Sequence, residues 1–474
     1  MNYKIEIPSL KLDFTVPPSK SVVHRNLIVG FLKSVRNLAV PQVFEENLVS
    51  SRSERQALEG PQMIQSIITP QPTDNDDIRA TRACLKALYD GSQNDEEIIY
   101  MPCNESGSTL RFMISVGAAF LNYMGLAQKK KLVFLPKGRL IERPLEQLIV
   151  CLAKRGVEVV VDKAAGTVTV SGVLTPGCFE IEGNVSSQYI SGLLMAQILL
   201  PGFSVELKGE LESKGYFDLT LQVMNEYGMD IGEGGPSRAS GTTVYSIRLQ
   251  NQSGSLRLSK DPYKNSPEGD WSSAAFLLCL GALTPNSQVI LHGLNKSSAQ
   301  KDKIILEILE QLGIHAIWND DTVSLLSEHS EAPSTLELDA TDYPDIVPYI
   351  AIVAAAFTKE TKIKNISRLH FKECDRVEAI IQALTAVGVS AIEQDGTLII
   401  QNQNCQNKKS DEAIEIKTFG DHRIAMTATL VAAWTGRPVL IDNKECVNKS
   451  FPGLFSVIER NCHCEERSDV AIHK

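Results

Sequence analysis

The sequence predicts an α/β protein in which one unit of strands and helices is repeated six times. Three observations support this: strongly apolar helices recur at a regular interval, second helices end on glycine, and short alternating runs read as strands. The chain of 474 residues is too long for one ordinary hydrophobic core, so we expect two large domains. Because the recurring helices are apolar nearly all round, the core is predicted to consist of helices wrapped by sheets.

The bulk composition is typical of a soluble globular protein. Apolar residues make up 43% of the chain, charged residues make up 22%, and the net charge is −10. This charge argues against a general nucleic-acid binder or a binder of anionic membranes. The N-terminus lacks the form of a signal peptide, and no run approaches about 18 apolar residues, so we expect a cytoplasmic protein. The ten cysteines lack paired CxxC spacing, which indicates reduced thiols.

The apolar helices open on Ser, Gly or Asp and lie roughly 80 residues apart. They are predicted at residues 19–32, 106–120, 186–200, 270–283, 345–357 and 421–434. More amphipathic helices lie between them, and four of these end at a glycine that leads into a strand, namely Gly156, Gly228, Gly313 and Gly388. Residues 74–89 and 451–460 supply two further helices with less regular ends.

Alternating polar and apolar runs between the helices predict strands. They lie at residues 157–161, 167–170, 204–207, 244–249, 289–291 and 397–400. Each unit therefore reads strand, helix, strand, helix, strand, strand.

Three segments do not fit this period. Residues 36–73 contain four prolines and several Ser and Arg residues, which predicts an enlarged loop region. Residues 403–413 read as a polar connector, and the tail from about residue 462 is expected to be disordered. The Cys462-His463-Cys464 run in that tail has metal-like spacing, but in a polar tail it is better explained by chance.

Cations gather at the starts of the apolar helices. After a Pro-Pro-Ser loop, Lys20 and the free backbone N–H groups of the first helical turn point at one spot, and Arg25 lies about one turn further on. Alone, each such motif is equally well explained as a capped surface helix with solvated cations. If the helix starts converge, however, several cations meet a few carboxylates, and guanidinium groups match phosphate and carboxylate oxygens in pairs. The ordered set predicts a site for a multiply anionic small molecule.

At these residues the chain resembles the enolpyruvyl transferase family, and within it the branch that uses shikimate 3-phosphate. The motifs that carry the resemblance are Lys20-Ser21, Glu105-Ser106-Gly107, Arg143-Pro144, Ser186-Ser187-Gln188, Asp345, Lys372-Glu373-Cys374-Asp375-Arg376, Asp421-His422-Arg423 and Lys449. The resemblance covers residues 17–455 and implies two domains of three βαβαββ units each, an inside-out barrel arrangement, with the active site in the cleft between them. One domain is then 19–267, on the shikimate 3-phosphate side, and the other combines 1–18 with 268–474.

The resemblance also implies a reaction. The enolpyruvyl group of phosphoenolpyruvate moves to the 5-hydroxyl of shikimate 3-phosphate and phosphate is released, in a monomer with no metal, no organic cofactor and no partners besides these small molecules. The positions that match residues holding shikimate 3-phosphate are Ser21, Arg25, Ser186, Ser187, Gln188, Ser213, Tyr216, Asp345 and Lys372. The positions that match residues holding phosphoenolpyruvate are Lys20, Gly107, Arg143, Gln188, Arg376, Arg423 and Lys449. By the same resemblance, Asp345 accepts the hydroxyl proton, and Glu373, with Lys20 or Lys449, protonates the methylene carbon.

Two alternatives remain beside this interpretation. The related enzyme that acts on UDP-N-acetylglucosamine usually carries a reactive cysteine just before the Arg-Pro pair, whereas residues 135–142 contain none. A non-catalytic ligand-binding paralogue on the same fold would not need both Asp345 and Glu373. Glu105 and Ser106 replace the Asn-Ala that more usually precedes the glycine, so we expect the phosphoenolpyruvate pocket to differ there from that of other family members.

Overall fold

The computed structural model describes residues 3–38, 52–183, 186–200, 202–209, 211, 214–229, 243–245, 267–402 and 412–462. Its α-helices are α1 Lys20–Leu38, α2 Arg52–Ile68, α3 Asp76–Gly91, α4 Gly107–Tyr123, α5 Glu146–Ala153, α6 Ser187–Ala196, α7 Lys214–Glu226, α8 Trp271–Leu283, α9 Ile305–Gln311, α10 Val347–Phe357, α11 Arg376–Thr385, α12 His422–Thr435 and α13 Leu454–Asn461. Its strands are β1 Tyr3–Ile5, β2 Lys11–Thr15, β3 Ile98–Asn104, β4 Lys131–Pro136, β5 Val157–Asp162, β6 Thr167–Gly172, β7 Cys178–Glu182, β8 Ser204–Lys208, β9 Thr243–Tyr245, β10 Gln288–His292, β11 Ile314–Asn319, β12 Thr322–His329, β13 Thr335–Asp339, β14 Glu360–Lys364, β15 Ser390–Gln394, β16 Thr397–Gln401, β17 Ile414–Ile416 and β18 Val439–Ile441.

The chain forms two compact units. Lys20–Pro267 make up one of them, which we call the continuous unit. Met1–Ser19 and Glu268–Lys474 together make up the other, which we call the discontinuous unit. The continuous unit is therefore inserted into the sequence of the discontinuous one.

One sheet topology recurs in both units. In the continuous unit, β3 and β4 are parallel, β6 is antiparallel to β4, and β5 is antiparallel to β6. The discontinuous unit repeats this order in β13-β14-β16-β15 and in β2-β10-β12-β11. Two further sheets, β7-β8-β9 and β17-β18-β1, each join a parallel pair to one antiparallel strand. The predicted α/β class and its repeated strand–helix order are confirmed for these elements.

The apolar helices predicted near residues 106–120, 186–200, 270–283, 345–357 and 421–434 are present and buried. All residues of α8 are buried, and α4, α6, α10 and α12 are buried over most of their lengths. Burial of such helices is favourable because each buried aliphatic side chain contributes about 1.5–3 kcal/mol. Although α8 and α10 are strongly apolar, no helix within the described ranges combines the length and the apolar character needed to cross a membrane.

The glycines predicted to end the second helices have the backbone conformation that this role requires. Gly156, Gly228, Gly313 and Gly388 have φ angles of 86°, 77°, 77° and 84°. A side chain disfavours these left-handed angles, so glycine is the residue that ends a helix there and turns the chain into the next strand.

The enlarged loop predicted for residues 36–73 was wrong. Helix α1 continues to Leu38, and α2 occupies Arg52–Ile68 with Pro61 inside it. Ile64, Ile67 and Ile68 are fully buried, so tertiary packing of an apolar face outweighs the hydrogen bond that proline cannot make. Residues 39–51, most of the predicted connector at 403–413, and the tail beyond residue 462 lie outside the described residues.

The two places where the chain passes between the units lie side by side in the discontinuous unit. Pro18 forms an isolated antiparallel bridge with Gly269, and the backbone N–H of Ser19 donates to the carbonyl of Glu268 at 2.8 Å. The Gln300 side chain accepts from the Ser19 hydroxyl at 2.9 Å and donates to the Glu268 carboxylate at 2.8 Å. The residues that flank the inserted unit are therefore neighbours and are held together by hydrogen bonds.

Candidate active site

In the continuous unit, Arg25 of α1 is a buried cation surrounded by neutral oxygens. Its Nε donates to Thr220 Oγ1 at 2.7 Å, Nη1 donates to the Ser21 carbonyl at 2.8 Å, and Nη2 donates to Ser191 Oγ at 3.2 Å and to the Tyr216 carbonyl at 2.9 Å. Burial lowers the pKa of Arg25 to about 10. At neutral pH the guanidinium is charged, and none of these four oxygens neutralises it.

Lys20 begins α1 and has a carboxylate partner. Its ammonium lies 2.9 Å from Asp77 Oδ2 in the first turn of α3, with the Lys20 side chain 19% exposed. One turn further along both helices, His24 Nδ1 lies 2.7 Å from Thr81 Oγ1. The start of α1 is therefore fixed against the start of α3 by two polar pairs.

The starts of α4 and α6 are joined around Gly107. A methyl group at Gly107 would lie 2.8 Å from Nη1 of Arg143, so glycine allows this guanidinium to approach the backbone closely. Arg111 Nη1 donates to Gln188 Oε1 at 2.8 Å, and Gln188 Nε2 donates to Ser108 Oγ at 2.9 Å. The structure thus brings together Gly107, Arg143 and Gln188, three of the residues that the sequence nominated.

The serines predicted at these helix starts differ in what they do. Ser186 is the N-cap of α6, where its hydroxyl accepts from the backbone N–H of Gln188 at 3.3 Å. Ser187 is buried as the first residue of that helix, and Ser21 offers its carbonyl to Arg25. Ser213 lies outside the described residues.

In the discontinuous unit, Arg376 is the centre of a buried charge cluster. Its Nε and Nη2 donate to the two carboxylate oxygens of Asp421 at 2.8 and 3.2 Å. Nη1 donates to Asp345 at 3.0 Å, and Nη2 also donates to Glu373 at 2.9 Å. Burial disfavours the charge, but the three carboxylates outweigh that penalty and hold the pKa of Arg376 well above its ordinary value.

Two lysines complete the cluster. Lys372 Nζ lies 3.1 Å from Asp345 Oδ1, and Lys449 Nζ lies 3.6 Å from Glu373 Oε1. Burial by itself would raise the pKa of Asp345, but Lys372 and Arg376 more than offset it, so the pKa lies well below its ordinary value. Asp345 is consequently an ionised proton acceptor at neutral pH.

Arg423 lies at the start of α12 beside this cluster. Its backbone N–H donates to Asp421 Oδ1 at 2.8 Å, and its Nη1 donates to the Tyr349 hydroxyl at 3.0 Å. Burial opposes its charge, but Tyr349 and Asp345 hold the pKa of Arg423 above its ordinary value. The buried Nε of Arg423 has no hydrogen-bond partner among the residues that the structure describes, which leaves a donor for a ligand.

Four residues of these clusters carry no role that their sequence motifs predicted. Asp421 stands inside a quoted motif and could have been recognised as the N-cap of α12, whereas Arg111 lies four residues after the quoted Gly107. Asp77 and Tyr349 gave no signal, because their partners are 57 and 74 residues away in the sequence.

Chemically, each unit offers a different capability. The cluster around Arg376 combines carboxylates with lysines and so suits proton transfer and anion binding. The continuous unit offers cations and serine hydroxyls for phosphate or carboxylate groups. Within the described ranges, no group of three or more His, Cys, Asp or Glu side chains is placed to hold a metal ion.

Comparison with known proteins agrees with this chemistry. Residues 6–458 match the family model described as EPSP synthase (3-phosphoshikimate 1-carboxyvinyltransferase). A protein of Clostridium acetobutylicum named 3-phosphoshikimate 1-carboxyvinyltransferase is 31% identical over 96% of this chain and 96% of its own length. A protein of the same name from Clostridium botulinum strain Alaska E43 is 32% identical over 96% of this chain and 95% of its own.

Solved structures show the same fold. EPSP synthase from Acinetobacter baumannii superimposes with a TM-score of 0.60 at 20% identity, covering 97% of this chain and 98% of that one. The enolpyruvyl transferase NikO from Streptomyces tendae gives a TM-score of 0.59 at 15% identity, covering 97% of both chains. At these identities, the likeness bears on the fold alone.

Proposed function

The chain belongs to the EPSP synthase (3-phosphoshikimate 1-carboxyvinyltransferase) family, and we propose that it transfers the enolpyruvyl group of phosphoenolpyruvate to the 5-hydroxyl of shikimate 3-phosphate. Phosphate is the second product, and the reaction belongs to the shikimate pathway of chorismate and aromatic amino acid synthesis. One observation carries the proposal. Asp345 and Glu373 both bind the buried guanidinium of Arg376, and each of these carboxylates has a different lysine partner.

The first step is addition. Asp345 takes the proton of the 5-hydroxyl while the oxygen attacks C2 of phosphoenolpyruvate, and Glu373, assisted by Lys20 or Lys449, delivers a proton to the methylene carbon C3. The product of this step is a tetrahedral intermediate in which C2 carries both the new ether oxygen and the phosphate. Because Lys372 and Arg376 hold Asp345 ionised, its carboxylate is free of a proton and can accept that of the hydroxyl.

The second step is elimination. A proton leaves C3 for the carboxylate that supplied it, the double bond re-forms, and the C2–O bond to phosphate breaks. Cations stabilise the charge that develops on the leaving phosphate, and for this role we propose Lys20, Arg143, Arg376, Arg423 and Lys449, with Gly107 and Gln188 as uncharged contacts. Catalysis is then positional and electrostatic, with no covalent enzyme intermediate.

The shikimate 3-phosphate is held by the remaining nominated residues. Arg25 supports this assignment, since a buried guanidinium bound only by neutral oxygens in the contacts above gains most from an anionic ligand. We assign Ser21, Ser186, Ser187, Gln188, Ser213, Tyr216, Asp345 and Lys372 to the same substrate. The protein acts in the cytoplasm as a monomer.

Phosphate release tests the function directly. Purified protein is given phosphoenolpyruvate with shikimate 3-phosphate, with UDP-N-acetylglucosamine, or alone. We expect release with shikimate 3-phosphate only, and formation of the enolpyruvyl ether in equal amount. Release with the nucleotide sugar instead would move the chain to the related enzyme. If neither acceptor supports release although both substrates stabilise the protein against heat, the chain binds without catalysing.

A further inference from the structure

A row of buried polar side chains joins the first turns of α1, α3 and α4 in the continuous unit. Lys20 meets Asp77, and one turn later His24 meets Thr81, so both pairs join residues 57 apart in sequence. The equal separation means that α1 and α3 run in the same direction and are held in one register at these turns.

The row continues from α3 to the start of α4. Thr81 Oγ1 lies 2.7 Å from Thr109 Oγ1, and Thr109 Oγ1 donates to Ser106 Oγ at 2.7 Å. Thr109 also lies 3.4 Å from the backbone carbonyl of Asp77. Ser106 is the N-cap of α4 and immediately precedes Gly107. The hydroxyl chain therefore ends beside one residue nominated for phosphoenolpyruvate and starts one turn from another, Lys20.

The hydrogens of the row follow one arrangement when the Thr109 hydroxyl donates to Ser106 at 2.7 Å rather than to the more distant Asp77 carbonyl at 3.4 Å. A hydroxyl carries one hydrogen, so with Thr109 donating to Ser106, Thr81 must donate to Thr109 and His24 Nδ1–H must donate to Thr81. Burial lowers the pKa of His24 to about 3, so the imidazole stays neutral in the folded protein, and this donation assigns its one hydrogen to Nδ1. His24, Thr81, Thr109 and Ser106 are each at most 1% exposed, which protects the row from competing water.

Stability alone does not call for such a row. Replacing both partners of a buried hydrogen bond by apolar groups of the same shape is nearly neutral, so an aliphatic seam would pack these helices equally well. A hydrogen-bonded chain differs from an aliphatic seam in fixing distances to a few tenths of an ångström, because its bonds are directional and short.

We propose that Asp77 is a positioning residue for the Lys20 ammonium and that the His24–Thr81–Thr109–Ser106 row sets the distance between Lys20 and Gly107. The proposal rests on the proposed function, in which both residues contact phosphoenolpyruvate. Asp77 holds the ammonium of a flexible side chain in one place, and the row holds the helix that carries Asp77 against the turn that carries Gly107. Neither Asp77 nor Thr81 is a catalytic residue in this account.

The experiment compares three variants by steady-state kinetics with each substrate varied in turn. Asp77→Asn keeps the shape of the side chain and removes its charge. Thr81→Val keeps the shape and removes the hydroxyl, whereas Thr81→Ser keeps the hydroxyl and removes a methyl group. We expect Asp77→Asn and Thr81→Val to raise the KM for phosphoenolpyruvate about tenfold, because a displacement of about 1 Å at a positioning contact can cost up to 10²-fold. The KM for shikimate 3-phosphate should change less than about twofold, and Thr81→Ser should behave as wild type.

A matched variant controls for loss of a buried hydroxyl pair. Thr358 Oγ1 in the discontinuous unit donates to the Ala354 carbonyl at 2.9 Å and lies 2.7 Å from Thr361 Oγ1, and neither partner is a nominated site residue. Thr358→Val should lower the melting temperature by about as much as Thr81→Val and leave both KM values unchanged.

The outcomes separate the two proposals. If Thr81→Val and Asp77→Asn lose stability but keep both KM values, or raise both KM values equally, the row is only part of the fold and the inference is wrong. Failure of Thr81→Ser to restore the wild-type KM would also overturn it. An inactive wild-type protein would instead refute the proposed function.

Discussion

Arg376 in the discontinuous unit and Arg25 in the continuous unit have opposite surroundings. In the discontinuous unit Arg376 donates to three carboxylates, and Lys372 and Lys449 each lie beside one of them. In the continuous unit the contacts described for Arg25 are four neutral oxygens, and Arg111 donates to the Gln188 amide and the Pro144 carbonyl. The pKa values shift in opposite directions for this reason. Carboxylates raise the pKa of Arg376, whereas burial lowers the pKa of Arg25.

This difference separates two tasks. Burying a cation among neutral groups costs desolvation free energy that these groups do not offset. An anionic ligand offsets it, so such a site favours the binding of anions. A cluster of cations and carboxylates already balances its charge and can move a proton between groups whose pKa values it has shifted. Lys20 in the continuous unit has a carboxylate partner, Asp77, and it is also the cation there that we nominate as a proton donor.

The largest expected effect comes from removing the base of the charge cluster. Asp345→Asn keeps the shape of the side chain but cannot accept a proton at neutral pH, so kcat should fall on the order of 10²- to 10⁴-fold. The measurement is the steady-state rate of phosphate release at saturating substrates. Glu337→Gln, which removes an exposed carboxylate paired with Lys364, is the control and should be unchanged. A kcat for Asp345→Asn within threefold of wild type would assign the base to another group.

The next effect tests the neutral surroundings of Arg25. Arg25→Gln removes the buried charge, and the affinity for shikimate 3-phosphate should fall on the order of 100-fold, as expected when one member of a buried charged contact is lost. Isothermal titration calorimetry with shikimate 3-phosphate alone measures it.

Lys33→Met is the matched control for Arg25→Gln. Lys33 is a buried cation on the same helix, and its ammonium donates to the Tyr227 carbonyl at 2.6 Å. It should leave the affinity unchanged. Equal losses of affinity in both variants would mean that general destabilisation of α1, rather than the Arg25 charge, is responsible.

A smaller effect concerns the pH dependence of the charge cluster. Lys372 helps to hold the pKa of Asp345 below its ordinary value, so Lys372→Met should raise it. Because the base works only when ionised, the acid limb of the pH profile of kcat should move to higher pH. An acid limb that stays in place, measured at saturating substrates, would show that Lys372 does not control the ionisation of Asp345.

The smallest effect lies in the neutral polar row of the continuous unit. His24 has a pKa of about 3 in the folded protein against an ordinary value of 6.5, so the unfolded chain binds the additional proton between these values. His24 therefore contributes stability that is present above pH 6.5 and is lost as the pH falls towards 3. His24→Asn, whose amide nitrogen can replace Nδ1, should lack this loss.

Urea unfolding of both proteins at pH 7, 6 and 5 measures the difference. Between pH 6 and pH 5 the unfolding free energy of the wild type should fall by about 1 kcal/mol more than that of His24→Asn, since one pKa unit corresponds to about 1.4 kcal/mol. Parallel pH curves would mean that His24 is not buried as a neutral base.

The sequence predicted those features that depend on local patterns. Helices such as α8 and α10 were predictable because their apolar character is sustained over three turns, and the ends of second helices were predictable because only glycine suits their φ angles. Helix α2 was missed because Pro61 normally ends a helix, and only tertiary burial of Ile64, Ile67 and Ile68 shows why it does not.

The candidate site was predictable only in its residue types. Lysines, arginines and carboxylates could be nominated from their motifs, but their pairing depends on packing between distant segments. Nothing local indicates that Lys20 meets Asp77, or that Asp421 binds Arg376, 45 residues away, through both of its oxygens. The roles assigned to the individual residues are therefore predictions, and the variants described above test them.

The insertion of one unit into the other has a consequence for how the protein is made. Strand β1 pairs with β18, so Tyr3 cannot form its strand pairing until Ile441 has been synthesised. At about 5–20 residues per second, tens of seconds of synthesis separate these strands. The continuous unit, Lys20–Pro267, is finished long before that. A ribosome-bound chain that stops near residue 400 thus carries a complete continuous unit and a discontinuous unit whose first strand has no neighbour to pair with.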